Sequence, residues 1–227
     1  MLAERQMFHI RRLHERRENT MNIVEADHPV AQTKTPFQSK TGYSRHRWTV
    51  AKYHRMVETG LLNEADRVEL IEGELFAMAP IGSPHGGEVN YLVRCFAALM
   101  AQDKIVLAVQ NPVTLPDDSE PQPDIAVLRW RDDFYRKSHP LPEAVLLIIE
   151  VADTTAQYDR DIKIPLYARH HIPEVWLVDL QQRRLESYRQ PEQGEYRQVN
   201  FFSKGSVSPE QLAGITIGLA ELFPERL

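Results

Sequence analysis

Two acidic residues stand at the ends of apolar runs, where a carboxylate needs a positive partner. In "PQPDIAVLRW" Asp124 opens the run Ile125 to Leu128, and in "AVLLIIEVADTT" Glu150 closes a run that starts at Val145. A run so apolar on both faces belongs to a strand in the middle of a covered sheet. A carboxylate there is costly unless something positive meets it. Pro123 suits the first position of a strand, where its missing N–H does no harm, and Asp124 then shares a face with Ala126 and Leu128. If the two strands are neighbours, Asp124 and Glu150 converge and repel unless a cation neutralises them. Oxygen-only ligands suit Mg²⁺ or Mn²⁺. Taken alone, Asp124 reads as a turn or capping residue after proline. Glu150 is harder to place so simply, because even a structural carboxylate at that position needs a partner.

A lysine follows in "AQYDRDIKIPLYARHHIPEVWLVD". Proline fits only the first turn of a helix, so Pro165 predicts a helix over about 160–171 with Lys163 at or just before its start. The lysine stem could reach back to the carboxylates, and spacing alone leaves that reading level with a solvated surface lysine. Asp159 and Asp161 read as N-cap or first-turn acids favoured by the helix dipole. His85, in "GSPHGG", lies one residue past Pro84, where free backbone N–H groups favour phosphate. A capping or packing role for it competes on equal terms. Glu69 or Glu72 could add a carboxylate, against the more usual solvated glutamate. Tyr167 and Trp176 read as core, His170-His171 as a helix end suited to the dipole, and Cys95 as a packed thiol.

The elements that must position these residues follow from patterning. A helix is expected through "WTVAKYHRMVETG", ending at Gly60. A β-hairpin over "DRVELIEGELFAM" turns at Glu72-Gly73. A second helix has Ser83 as N-cap and Pro84 at its first position, with Val89, Leu92, Val93, Phe96 and Met100 at helical spacing. Strands are expected at 105–109, 124–128, 144–151 and 174–179, with two terminal strands, "RRLESYR" and "EYRQVNFF", around "QPEQG". A helix between the strands at 144–151 and 174–179 implies a parallel, right-handed pair. The expected fold class is α/β (α+β): a central mixed sheet flanked by helices, with an N-terminal hairpin and C-terminal strands.

The chain has 227 residues and a formal net charge of −5. Residues 1–60 carry 11 Lys/Arg against 6 Asp/Glu, and the remainder carries 16 against 26. This divides the chain into a mobile basic arm and linker over 1–42 and a folded domain over 43–227. Met21 is an alternative start. An acidic domain is not a strong non-specific nucleic-acid binder, though a nuclease with local contacts stays open. The single cysteine rules out a disulfide framework or a cysteine zinc site and points to a reducing, cytoplasmic setting. No run approaches a membrane span, and the N-terminus has no signal-peptide core. The chain has no P-loop, no G-x-G-x-x-G after a strand, no G-x-S-x-G elbow and no H-E-x-x-H pair.

The succession "VELIEGEL", "SPHGG", "PQPDIAVL", "LLIIEVADTT" and "YDRDIKIPLYARHHIPEVWLVD" resembles the Uma-type restriction endonuclease family, within the PD-(D/E)XK nuclease superfamily. The resemblance covers roughly residues 48–225 and implies a restriction-endonuclease-like core. It implies Asp124, Glu150 and Lys163 as catalytic residues, with Asp124 and Glu150 as metal ligands. Glu69 and His85 match accessory positions. The superfamily's E-x-K lysine falls two residues after the glutamate, on the same strand face; here that residue is Ala152, and Lys163 takes its place. The implied activity is Mg²⁺-dependent hydrolysis of DNA phosphodiesters by an endonuclease (Mn²⁺ as the other candidate ion), with a homodimer as the assembly that duplex cutters often adopt. Two rivals remain: a catalytically inert nuclease-fold module that binds nucleic acid or a protein partner, and a purely structural Glu150–Lys163 ion pair.

Overall fold

The strand Val145–Ala152 (β5) is buried at every one of its eight positions, as its two-sided apolar sequence requires. It lies third in a six-stranded mixed sheet ordered β3-β4-β5-β6-β7-β8. The others are β3 Ile105–Val109, β4 Ile125–Arg129, β6 Glu174–Asp179, β7 Arg184–Glu192 and β8 Glu195–Phe202. Only β5 and β6 run parallel, with Glu150 beside Leu177. A parallel pair needs a crossover, and the helical segment between them supplies it. This computed structural model describes residues 45–224; the arm expected over 1–42 lies outside the described residues.

The strand alternation sorts side chains into two layers. On one face Ile125, Val127, Leu147, Ile149, Val151 and Trp176 pack under helix α2 (Ser83–Met100) and the C-terminal segment. On the other, Ala126, Leu128, Ile148, Ala152 and Leu177 pack under Ile164, Leu166 and Tyr167 of the crossover and Ile71 of the hairpin. Asp124 precedes Ala126 by two residues and Glu150 precedes Ala152 by two. The pleat therefore turns both carboxylates toward the crossover and the hairpin. No described helix is long and apolar enough to cross a membrane.

The hairpin, β1 (Val68–Ile71) and β2 (Glu74–Ala77), pairs Ile71 with Glu74. Glu72 and Gly73 both have positive φ, 49° and 76°, as a two-residue primed turn demands. A Cβ on Gly73 would lie 2.6 Å from Arg47 Cβ, because the segment before helix α1 (Val50–Glu58) crosses here, with the Trp48 N–H donating to the Gly73 carbonyl.

Four expectations shift. The helix expected over about 160–171 starts earlier, at Ala156, and is composite: α3 (Ala156–Tyr158), a π-turn over Asp159–Lys163, and α4 (Ile164–Arg169). Pro165 cannot donate an N–H, and the wide turn, in which Ile164 N–H bonds to Asp159 O, accommodates it within the run. Ser83 is the first residue of α2 rather than its cap; Gly82 caps it without a side-chain bond. Met100 is exposed, and Leu99 instead joins Val89, Leu92 and Phe96 on the buried face. The turn between the last two strands is shorter than the "QPEQG" reading, since β7 runs on through Pro191 to Glu192 and only Gln193-Gly194 connects it to β8.

The π-turn is anchored from behind. Arg160 donates to both oxygens of Glu186 on β7 and to Asp179 at the end of β6, both carboxylates being almost fully buried. Arg184 and Tyr188 donate to Glu186 as well. Removing a partner from a buried ion network leaves a charge uncompensated. Arg160→Ala should therefore destabilise the protein by about 3 kcal/mol, moderated by Arg184. Denaturant unfolding measures this; stability equal to wild type would show that the anchor contributes nothing.

Candidate active site

Because Ile125 pairs with Ile149 in the antiparallel β4–β5 ladder, the next position places Asp124 opposite Glu150. The Val151 N–H donates to Asp124 Oδ2 at 2.8 Å, and the Asp124 N–H donates weakly to Glu150 Oε2 at 3.4 Å. His85, in the first turn of α2, has its Nε2 3.0 Å from Asp124 Oδ2. Gln110, just past β3, donates to Asp124 Oδ1 at 3.3 Å.

Lys163 enters from the π-turn above. Its Nζ lies 3.3 Å from Glu150 Oε1 and 3.2 Å from Glu69 Oε2, with only 6% of the residue exposed. The solvated-lysine alternative is thereby excluded. Ala152 leaves the strand face without a competing cation, and the helix delivers the ammonium instead. Glu69, on β1, also accepts from the Gln122 N–H at 3.1 Å and from the Tyr158 hydroxyl at 3.3 Å. Tyr167 donates to Glu150 Oε1 at 2.6 Å.

All five residues singled out in the sequence thus meet in one place, and Asp159 and two tyrosines join them. Asp159 is a first-turn acid, as its spacing suggested, but a buried one: it is 4% exposed and accepts from Thr155 Oγ1 at 3.1 Å. Tyr158 and Tyr167 ring the same carboxylates, so Tyr167 is core in its ring and site in its hydroxyl. The only sequence signal for them is spacing, since 159 and 163 stand four residues apart on one helix face. Glu72 does not contribute; it is half-buried on the hairpin turn and pairs with Arg169.

A cleft of about 440 Å³ opens onto the cluster, lined by Glu69, His85, Asp124, Glu150, Asp159 and Lys163, with apolar walls from Phe76 and Ile81. Four carboxylates face Lys163 and His85 at its floor, and the electrostatics record the excess. Burial drives the Glu150 carboxyl up to about 8; Asp159 and Asp124 push the same way, while Lys163 and the Tyr167 hydroxyl oppose. Burial likewise raises Asp159 to about 6, with Lys163 opposing it. Burial disfavours the Lys163 ammonium, yet Glu150, Glu69 and Asp159 together hold its pKa above the ordinary value. The hydrogen bond to Asp124 raises His85 toward the imidazolium. Burial and the neighbouring carboxylates keep both tyrosines firmly protonated.

The donor set fits a hard divalent cation. On each facing carboxylate one oxygen is firmly engaged: Asp124 Oδ2 by Val151 and His85, Glu150 Oε1 by Tyr167 and Lys163. Asp124 Oδ1 and Glu150 Oε2 hold only long contacts of 3.3 and 3.4 Å. Two loosely held carboxylate oxygens beside surplus negative charge match what Mg²⁺ or Mn²⁺ accepts.

Residues 50–220 match a protein family described as Uma2, "Putative restriction endonuclease". A search of curated proteins gives no match. Among solved structures, the chain is similar to a protein from Anabaena variabilis ATCC 29413 described as a putative nuclease belonging to DUF820. The TM-score is 0.60 and the identity 18%, covering 73% of this chain and 94% of that one. At that identity the likeness is one of fold, and it extends to the mixed sheet and its flanking helices. The family match takes in the hairpin, both acidic strands and the lysine-bearing crossover, and the chain belongs to the Uma2 restriction endonuclease family.

Proposed function

We propose that the protein is a Mg²⁺-dependent endonuclease that hydrolyses DNA phosphodiesters in this cleft. The observation that carries the reading is the convergence of Asp124, Glu150, Glu69 and Asp159 at one cleft floor, where Lys163 meets Glu150 and Glu69 and His85 meets Asp124. A purely structural ion pair calls for one carboxylate per cation. Surplus carboxylate at the floor of an open cleft instead suits a site completed by a divalent ion. Asp124 and Glu150 hold the ion through their loosely engaged oxygens. Bound there, Mg²⁺ supplies charge neutralisation at the phosphate and Lewis acidity toward the attacking water. We assign it to the cytoplasm.

The chain's own residues take distinct parts. Tyr167 and Lys163 fix one oxygen of Glu150 and so orient the other. Glu69, itself held by Gln122 and Tyr158, positions the Lys163 ammonium, which stabilises negative charge developing on the phosphate. His85 is held toward its imidazolium, and its buried Nδ1 has no hydrogen-bond partner among the described residues.

With supercoiled plasmid and Mg²⁺, the wild type should nick and linearise DNA. Asp124→Asn, Glu150→Gln and Lys163→Ala should each fall by about 10²-fold or more, and chelation should abolish cutting. Equal nicking by all four proteins would identify a contaminant and overturn the assignment; cleavage of RNA alone would move the substrate class.

A second expectation concerns pH in the metal-free protein. Folded Glu150 keeps its proton up to about 8, whereas the unfolded chain releases it near 4.5. The folded state therefore binds more protons between these values, and stability falls as pH rises through the window. Asp159, raised from 3.8 to about 6, acts in the same direction over the lower part. Melting temperatures of Glu150→Gln should fall less steeply than wild type between pH 5 and 8, and saturating Mg²⁺ should flatten the wild-type slope. Parallel slopes for the two proteins would show that Glu150 titrates normally.

A further inference from the structure

A second group of ligating side chains lies outside the cleft. His54 on α1, Glu120 in the β3–β4 connection and His139 ahead of β5 each bring one ligand atom within 4.8 Å of the others, and none of the three lines the cleft. Glu120 is 2% exposed. The His54 Nε2 lies 2.8 and 2.9 Å from its two oxygens, and the Thr114 hydroxyl donates to Oε2 at 2.7 Å. The Glu120 N–H donates to Leu70 O at 2.6 Å, and the Thr114 N–H donates to Pro140 O at 2.9 Å. The backbone of all the ligand-bearing loops is thereby held in place. The two imidazole rings stand 6.1 Å apart at 62°.

We propose that His54, Glu120 and His139 form a second cation site, selective for Zn²⁺ or a similar transition metal. One ion pair between His54 and Glu120 would satisfy the buried carboxylate, but it gives His139 no reason to converge on the same spot. Two imidazoles and one carboxylate are the ligand set of three-residue zinc sites, which keep a fourth position for water. The hydroxyl of Thr114 on the carboxylate is the outer support that such ligands carry. His139 is exposed, giving the ion an entry path. Imidazole nitrogen selects against Mg²⁺, so this site and the all-oxygen cleft differ in the ion they take. Three separate segments are joined here, and Glu120 lies four residues before Asp124. The bound ion therefore clamps α1 and two loops beside the strand entry that bears the cleft carboxylate.

The test is calorimetric titration of the full chain, stripped of metal, with Zn²⁺ in the presence of excess Mg²⁺, paired with melting curves. The wild type should bind Zn²⁺ and melt at a higher temperature once loaded. Loss of even a ligand's supporting partner costs about tenfold in affinity, so His139→Ala should weaken binding by at least that factor and lose the thermal gain. Its metal-free melting temperature should match wild type. His54→Ala should weaken Zn²⁺ binding equally, while an Asp124→Asn/Glu150→Gln variant should bind as wild type does. The proposal is overturned if the wild type takes up no Zn²⁺, if uptake survives His139→Ala, or if uptake disappears with the cleft carboxylates. Because the readout is Zn²⁺ uptake, the outcome is independent of whether the cleft cuts DNA.

Discussion

Burying Glu150 at the end of an all-apolar strand is the constraint around which the structure is arranged. A lone ionised carboxylate there would be driven to its neutral form by desolvation. Three features oppose that shift without cancelling it: the Lys163 ammonium, the Tyr167 hydroxyl and the amide of Asp124. Two come from the crossover and one from the β4 entry, so folding of the sheet, the crossover and the β4 entry must coincide for the buried carboxyl to be accommodated. The arrangement remains over-supplied with negative charge. A site so composed is costly to the metal-free fold and suited to binding a cation, the usual opposition between stability and function.

The crossover between β5 and β6 resolves this in a short stretch. Its π-turn spreads Tyr158, Asp159 and Lys163 over the cleft while directing Arg160 to the buried carboxylates of Asp179 and Glu186. π-turns within helices recur at functional positions because the wider turn presents neighbouring side chains in directions a regular helix does not offer. Here one cation of the segment anchors the turn to β6 and β7 and the other serves the cleft. The hairpin closes the opposite wall. Its tight turn at Gly73, forced by the passage of Arg47, keeps β1 in the position from which Glu69 meets Lys163.

Movement of the lysine from strand to helix has a physical consequence. On the strand, two residues after Glu150, it would extend from the sheet face beside the glutamate. From the helix it descends onto the carboxylates from above, and Ala152 makes room within an apolar layer of Ile148, Ile164 and Tyr167. The ammonium is then oriented by Glu69 and Glu150 together rather than by its own strand neighbours. The position of the hairpin therefore bears on the chemistry of the crossover.

Sequence patterning alone determined the strands at 105–109, 144–151 (one residue earlier than the observed Val145–Ala152) and 174–179, the hairpin turn and the parallel crossover, because two-sided apolar runs and a Glu-Gly turn admit few other structures. It also singled out Glu150, since a carboxylate at the end of such a run has few inexpensive explanations, whereas Asp124 alone read as a turn residue and stood out only as a possible partner of Glu150. Lys163 was legible only as one of two alternatives, and Asp159, Tyr158 and the Tyr167 hydroxyl were misread or unseen. Spacing along a helix shows which residues share a face but not which of several faces meets a distant strand. The π-turn rotates that face, and its presence depends on Pro165 being packed inside a continuous helical run. Likewise His54, Glu120 and His139 stand in three unrelated segments, the first two 66 residues apart. Their meeting, like the meeting of Glu69 with Lys163, was decided by tertiary structure, because contact between segments far apart in the chain is set by how the layers pack and leaves no periodic mark on the sequence.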